Sequence, residues 1–351
     1  MLVIGDNAFS NCTSMTSIQI PEGITKIGYF AFAYCESLTE ITLPSTLIDM
    51  DTLAIFHAWN LTNVYVAENN PVYSSSNGLL LSKDGSTLIH TPNGKTDAAF
   101  SIPASVTVIG EHAIRDCENL TKIVVPEGVT EIGFLAMCDC SALTEISLPS
   151  TLTAIGYSAF SYCSSLEEIT IPVGVKTLPS SLFERCSSLK KVTLPDGLTE
   201  IKQYAFSECT SLTELTIPDS VTTIGYSAFQ FCSSLSSLIL SKNLQAVSDD
   251  MIVSCSKLTE LVIPDSVTSI GNGAIRYTNL TELIIPDGVT SIGNAAFQCN
   301  TSLRSLVIPA SVTSIGHSLV YNCPNLTVTV TPGSYAETYC INNSISYIPA
   351  E

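Results

Sequence analysis

Basic residues are scarce. Lys and Arg total 14 against 32 Asp and Glu in 351 residues, a formal net charge of −18. A nucleic-acid partner, which requires a positive surface, is thereby excluded. An anionic membrane surface is disfavoured on the same ground. Long apolar runs are also missing. The longest is seven residues, Tyr29 to Cys35, whereas a membrane-spanning helix needs about 20. The mean hydropathy of +0.35 therefore does not announce a spanning segment, and no membrane insertion by this segment is expected. Charged residues make up only 13% and apolar ones 45%, which excludes disorder. Histidine is rare: His57, His90, His112 and His317 lie far apart, without an H-E-x-x-H or a Cys–His pairing. No G-x-S-x-G, P-loop or dinucleotide fingerprint occurs, and no closely spaced carboxylates form a calcium loop. No enzymatic activity is expected. No catalytic, cofactor-binding or metal-ligating residue is assigned, and no cofactor is implied.

What the chain does contain is one motif, copied throughout. Leu212 to Ser234 reads LTELTIPDSVTTIGYSAFQFCSS, and Leu143 to Ser165 reads LTEISLPSTLTAIGYSAFSYCSS. The shared pattern is L-T-x-I-x-I-P-x-x-V-T-x-I-G-x-x-A-F-x-x-C-x-x, a unit of 23. Thirteen coils begin at residues 15, 38, 61, 97, 120, 143, 166, 189, 212, 235, 258, 280 and 303. The coil at Leu61 carries an insertion of 13, and the coil at Leu258 lacks one residue. Such a period predicts a solenoid.

The apolar places are positions 1, 4, 6, 10, 13, 17, 18 and 21. One unit cannot bury that face alone, so neighbouring coils must stack. Positions 4 and 6 alternate with 3 and 5, the period of a strand. Pro at position 7 ends its pairing. Positions 10–13 predict a second short strand, and Gly at 14 a turn. Phe and Cys three apart in A-F-x-x-C predict a short helical turn.

This unit resembles the BspA-like leucine-rich repeat family of bacterial surface and secreted proteins. The resemblance covers nearly the whole chain. It implies a leucine-rich-repeat solenoid, a right-handed arc of about 13–14 coils. Strands would line the concave face, with short strands, turns or helical turns on the convex side. It also implies secretion or surface display, an extracellular location, and often adhesion or other protein binding. The whole of 1–351 reads as a single solenoid. Residues 1–14 would be a partial first coil, 67–96 a β-hairpin insertion within the third full coil, and 326–351 an altered last coil with a capping helix. Asp84-Gly85 between the apolar runs Gly78–Leu81 and Thr87–Ile89 marks the hairpin. The chain opens mid-coil without a signal peptide, which predicts a piece of a longer protein. Its open first coil edge predicts self-association.

Of the 13 cysteines, Cys140, Cys163, Cys186, Cys209, Cys232 and Cys255 recur every 23 residues. Cys12, Cys35, Cys117 and Cys323 share their register. A buried thiol ladder is predicted rather than disulfides or metal. The pair Cys138 and Cys140 forms a C-x-C with no histidine ligand nearby.

The outward positions form rows. Position 3 carries Glu40, Glu145, Glu168, Glu214, Glu260 and Glu282, broken by Lys122 and Lys191. Position 8 adds Glu22, Glu127, Asp196, Asp219, Asp265 and Asp287. The rows read first as a solubilising surface and secondly as a site for a basic partner. Position 5 changes from Ser147, Thr170, Thr193 and Thr216 to Ile239, Val262, Ile284 and Val307. β-branched residues suit strands in any case. Four exposed together would also form a patch for a partner. The candidate partner-binding residues are therefore Ile239, Val262, Ile284 and Val307, flanked by Glu260 and Glu282, with Tyr65 as an exposed aromatic on the same type of row. Two coils break the pattern. One holds the single Trp, Trp59, next to the insertion, where packing on the hairpin is expected. The other has Ser241-Lys242-Asn243 in place of Pro-Asp-Gly, where a local bend is expected. The function expected is an adhesin-like module that binds a host or neighbouring-cell protein. The alternatives are a structural spacer that presents another domain, and a carbohydrate-binding module using surface aromatics such as Tyr157, Tyr162, Tyr226 and Phe231.

Overall fold

The computed structural model describes residues 2–97 and 100–350. About 15 turns of parallel β-solenoid are shared between two compact units, Met1–Gly174 and Val175–Glu351. Each unit is built from the same coil.

Where a coil forms its first strand, that strand covers positions 3–5. Glu145–Ser147 in the first unit and Glu214–Thr216 in the second both show exposed, buried, exposed. The central Ile or Leu points into the core, as the strand period requires. These strands pair parallel, in register, one coil apart: Glu145 lies opposite Lys122, and Ser237 opposite Glu214. A second strand covers positions 12 and 13. Glu131–Ile132 pairs with Val108–Ile109 on one side and Ala154–Ile155 on the other. In the second unit Ala246–Val247, Ser269–Ile270, Ser291–Ile292 and Ser314–Ile315 form a four-stranded ladder.

The A-F-x-x-C segment is not helical. It is a chain of tight turns with left-handed residues at positions 16 and 20, such as Ser158 (φ 54°) and Tyr162 (φ 61°), or Ser227 (φ 53°) and Phe231 (φ 60°). The residues tolerated there include Asn, Asp, Ser, Tyr and Phe, but no Val, Ile or Thr, whose branched side chains are the worst fit to this region. The reason for the departure is hydrogen bonding. A helix would keep its N–H groups within the segment. Here the N–H of every second residue crosses to the next coil: Leu135 to Tyr157, Met137 to Ala159 and Asp139 to Ser161. The alternate ones close turns within the coil, as Ala136 does on Gly133 and Cys138 on Leu135. Stacking thus satisfies a backbone that one isolated coil could not satisfy.

Position 14 is glycine for a different reason than turn conformation. A Cβ on Gly156 would lie 2.4 Å from the backbone of Gly133 and Phe134 in the preceding coil. The coils approach too closely there for a side chain. Behind these turns Ala159, Phe160 and Cys163, and their equivalents Ala205, Phe206 and Cys209, are fully buried. In the second unit Phe183, Phe206 and Phe229 form a stack, with ring centroids 5.6 and 5.7 Å apart.

The insertion is spliced into a ladder. Tyr73–Ser76, Leu79–Ser82 and Thr87–His90 form an antiparallel meander. Its last strand then pairs parallel with Val108–Ile109 and serves as that coil's second strand. Tyr73 accepts a hydrogen bond at Oη from the N–H of Met50. Trp59 stacks on His57, with centroids 4.3 Å apart. At the other end, the helix Tyr335–Asn342 is the only α-helix among the described residues. Ser334 caps it by accepting from the Glu337 N–H, and the Glu337 carboxylate accepts from the Gly333 N–H, an N-terminal arrangement close to a capping box. Tyr339 Oη donates to the Gly316 carbonyl at 2.8 Å, which ties the helix to the coil beneath it.

Candidate functional site

Six of the seven candidate residues lie in the second unit, at the first-strand positions of four consecutive coils. Ile239 ends the strand Ser237–Ile239. Glu282 and Ile284 bound the strand Glu282–Ile284, and Val307 lies in Ser305–Ile308, opposite Ile284. Exposure is 57% for Ile239, 81% for Val262 and 62% for Ile284, so these three are a genuine surface row. Val307 is half-buried and is a weaker member. Tyr65 lies in the first unit, exposed, opposite Thr42 in the sheet Ser17–Gln19, Glu40–Leu43, Asn63–Val66. The row continues where the repeat register gives no guide: Val307 lies opposite Thr329, and Thr329 opposite the exposed Ile348 of the terminal strand Tyr347–Pro349.

The row is interrupted in its backbone. Ser237–Ile239 pairs with Glu214–Thr216, and Glu282–Ile284 pairs with Ser305–Ile308. Between them, residues 259–263 of the short coil form no strand. Their N–H and C=O groups make no backbone hydrogen bond among the described residues. Yet the segment keeps its strand-like alternation: Leu261 and Ile263 are buried, Glu260 and Val262 exposed. Ile263 precedes Pro264, which holds it extended. The same coil's second strand, Ser269–Ile270, stays paired on both sides. The coil is therefore seated at one edge and unlaced at the other. The register places its missing residue at the junction of Asn279 and Leu280, just ahead of the next first strand.

A groove of 560 Å³ opens here. Leu238, Ile239 and Leu240 form one wall; Leu261, Val262 and Ile263 form the other. Lys242, Glu260 and Asp265 stand at its rim. Lys242 Nζ is engaged by Asp219 at 3.1 Å. Glu260, Asp265 and Glu282 have no ion pair among the described residues. The rim is therefore net negative. The bend expected at Ser241-Lys242-Asn243 and the short coil both fall at this groove. The loss of pairing itself could not be read from residue types, because the apolar alternation is unbroken.

The other candidates resolve into structure. Three of the six position 8 carboxylates cap the next coil: Glu22 accepts from the N–H and Oγ of Ser45, Glu127 does the same with Ser150, and Asp219 accepts from the Lys242 N–H. These hydrogen bonds hold the Glu22 and Glu127 carboxyls below their ordinary pKa. In the position 3 row, Lys122 pairs with Glu145 at 2.7 Å. All 13 cysteines are free thiols. The ladder members are not merely apolar fillers. Eight of them donate to the position 18 carbonyl of the preceding coil, among them Cys163 to Met137 at 3.2 Å, Cys209 to Phe183 at 3.1 Å and Cys232 to Phe206 at 3.1 Å. Asn300 stands in the ladder and does the same with its Nδ2, 2.8 Å from the Ile275 carbonyl. Burial pushes the thiols of Cys209 and Cys232 up, and that of Cys255 to about 12. In the C-x-C, Cys138 Sγ lies 3.1 Å from the Asp139 carboxylate while Cys140 donates to the Ile114 carbonyl.

Near the insertion, Tyr29, Phe30, Phe56, His57 and Trp59 stack in a column with centroids 3.7–5.1 Å apart. The ring faces are occupied by one another, which favours packing over sugar stacking. His57 Nε2 lies 3.3 Å from the buried carboxylate of Asp116, and Arg115 Nε lies at the same distance from it. Burial raises Asp116 to about 7, with Arg115 opposing. His90 is buried, and burial depresses it to about 4. Tyr157 stacks on Phe134 at 3.9 Å, and Tyr226 meets Tyr204 edge-on at 5.0 Å, so these surface aromatics are also tied to neighbouring coils.

Comparison with known proteins agrees with this coil. A leucine-rich repeat protein from Bacteroides ovatus is 26% identical, with a TM-score of 0.66 over 100% of this chain and 88% of that one. One from Eubacterium ventriosum is 28% identical, with a TM-score of 0.59 over 79% of this chain and 68% of that one. No curated protein matches the chain at significant similarity. The family model for the BspA type leucine rich repeat region matches residues 2–78, 95–213, 165–278, 199–327 and 253–347. The chain belongs to the BspA-type leucine-rich repeat family.

Proposed function

We propose that this protein is a binding module, displayed outside the cell, that engages a protein partner on the first-strand row of its second unit in an adhesin-like role. The observation that carries the reading is the change of character along position 5. Ser and Thr give way to Ile239, Val262 and Ile284, and these three side chains are exposed at the same position of three consecutive coils. A spacer has no use for such a row, and an exposed apolar patch rimmed by charge is the usual mark of an interaction site. Glu260 and Glu282 flank it and favour a partner with basic residues. The surface location is what the resemblance to the BspA-like family implies.

The test is a pull-down from extracellular-matrix and host-surface proteins with the native chain and an Ile239→Asp, Ile284→Asp variant. Both side chains are exposed, so the variant should fold. A protein captured by the native chain and lost by the variant supports the reading. Capture by both moves the site away from the row. No capture by a folded monomer turns the reading to the spacer.

A further inference from the structure

The proposed partner surface contains an unlaced strand, and that narrows the chemistry of what fits it. Residues 259–263 keep the burial alternation of a strand, with Leu261 and Ile263 anchored in the core, but their backbone groups have no backbone partner among the described residues. The facing edge of Ser237–Ile239 is also open, since that strand pairs only with Glu214–Thr216. Two open strand edges thus face one apolar groove. Open edges of this kind are the template for strand addition by another chain.

We propose that this groove binds an extended segment of a protein partner by β-strand addition, with a basic residue and a β-branched residue two apart on its outward face. The spacing follows from the wall. Glu260 and Val262 are two apart and point the same way, while Leu261 between them points into the core. A strand laid alongside presents residues i and i+2 to that pair. Its i residue meets an unpaired carboxylate and its i+2 residue meets Val262 and Ile239. Asp265 and Glu282 extend the negative side. A second copy of this chain is a poor occupant. It carries a net charge of −18, and at position 3 six of its coils present Glu to the same acidic rim against two that present Lys, of which Lys122 is already paired with Glu145. The inference rests on the reading of the row as the docking surface, but adds main-chain pairing to it.

The probe is a capped, fluorescein-labelled peptide, Ser-Lys-Val-Val-Val-Lys-Ser, in which Lys and Val are two apart in either strand direction. Its control carries the same side chains with the three valines N-methylated, which removes the donors needed for pairing. Binding is read by anisotropy and located by amide hydrogen exchange on the full chain. The plain peptide should bind and slow exchange within 237–240 and 259–263. The N-methylated peptide should bind at least about tenfold more weakly, from the loss of a few main-chain hydrogen bonds. Glu260→Lys, an exposed change, should weaken the plain peptide by a similar factor. Absence of plain-peptide binding, or protection elsewhere, overturns the inference. Equal binding of the plain and N-methylated peptides, with both lost in the Ile239→Asp, Ile284→Asp variant, overturns strand addition while leaving the row as a docking surface.

Discussion

The thiol ladder makes a prediction that reaches every coil it passes through. Ten of the 13 cysteines are buried; Cys12, Cys299 and Cys323 are half-exposed. Alkylation needs the thiolate. At pH 8 an ordinary cysteine with a pKa near 8.5 is ionised in about a quarter of molecules. Cys255, pushed to about 12, would be ionised in roughly one in ten thousand. The gap is about three orders of magnitude before access is considered. Cys209 and Cys232 are displaced in the same direction by the same cause. Iodoacetamide labelling of the native protein, followed by peptide mass spectrometry, should therefore modify Cys12, Cys299 and Cys323 first. The buried members of the ladder, from Cys35 to Cys255, should react only as denaturant opens the coils, and together with loss of the β-signal. Labelling of Cys209, Cys232 and Cys255 at the rate of Cys12 in the folded protein would refute the ladder. So would native disulfides between adjacent coils.

Three further outcomes follow from the packing. Phe206→Ala removes the middle ring of the Phe183–Phe206–Phe229 stack and should cost about 3–5 kcal/mol in a urea titration. Gly156→Ala should cost about 1–3 kcal/mol or more, because its Cβ meets backbone. Gly5→Ala, at the same register position with nothing within 4 Å, should be near neutral in the same titration. His90, depressed from 6.5 to about 4 by burial, takes up its proton more readily in the unfolded chain. Its contribution is therefore present above pH 6.5 and lost as pH falls toward 4, a change of about 3 kcal/mol. The difference in stability between native protein and His90→Leu should shrink or reverse across that window. A flat difference would refute the assignment.

Much of this molecule was legible in its residues, because 23-residue copies report on one another. The two strands, the buried positions and the thiol ladder follow from which residues recur. What the copies hide is geometry that every coil shares. The helical reading of A-F-x-x-C failed because Phe and Cys three apart satisfy a helix face and a pair of tight turns equally well. The signal against it was the composition of positions 16 and 20, which admit Asn, Asp and Ser but no β-branched residue. Gly at position 14 was read as a turn residue, whereas it is small because the preceding coil's backbone is in the way. The groove lies between these cases. The exposed row was visible at Ile239, Val262 and Ile284. The unlaced strand was not, since Leu261 and Ile263 still point inward and Val262 outward.

A solenoid can tolerate such a break where a closed sheet could not. Each coil is held along three edges, by its two strand ladders and by the hydrogen bonds of its turn segment to the next coil, and its energy is set by its nearest neighbours. In the short coil the second ladder through Ser269–Ile270 is intact, Cys255 and Leu258 are buried, and Val267 is fully enclosed. The coil therefore keeps its place without the first ladder. The five residues released from it keep their strand-like alternation because two of them remain anchored in the core and the next is Pro264. Water can serve their exposed polar groups in the free protein, so the break costs less than the same loss inside a core. A partner strand would restore direct pairing at a site that already keeps this alternation, with little further ordering needed on this side of the interface. The irregular coil is thus the place where this repeat can add contacts without remaking its own.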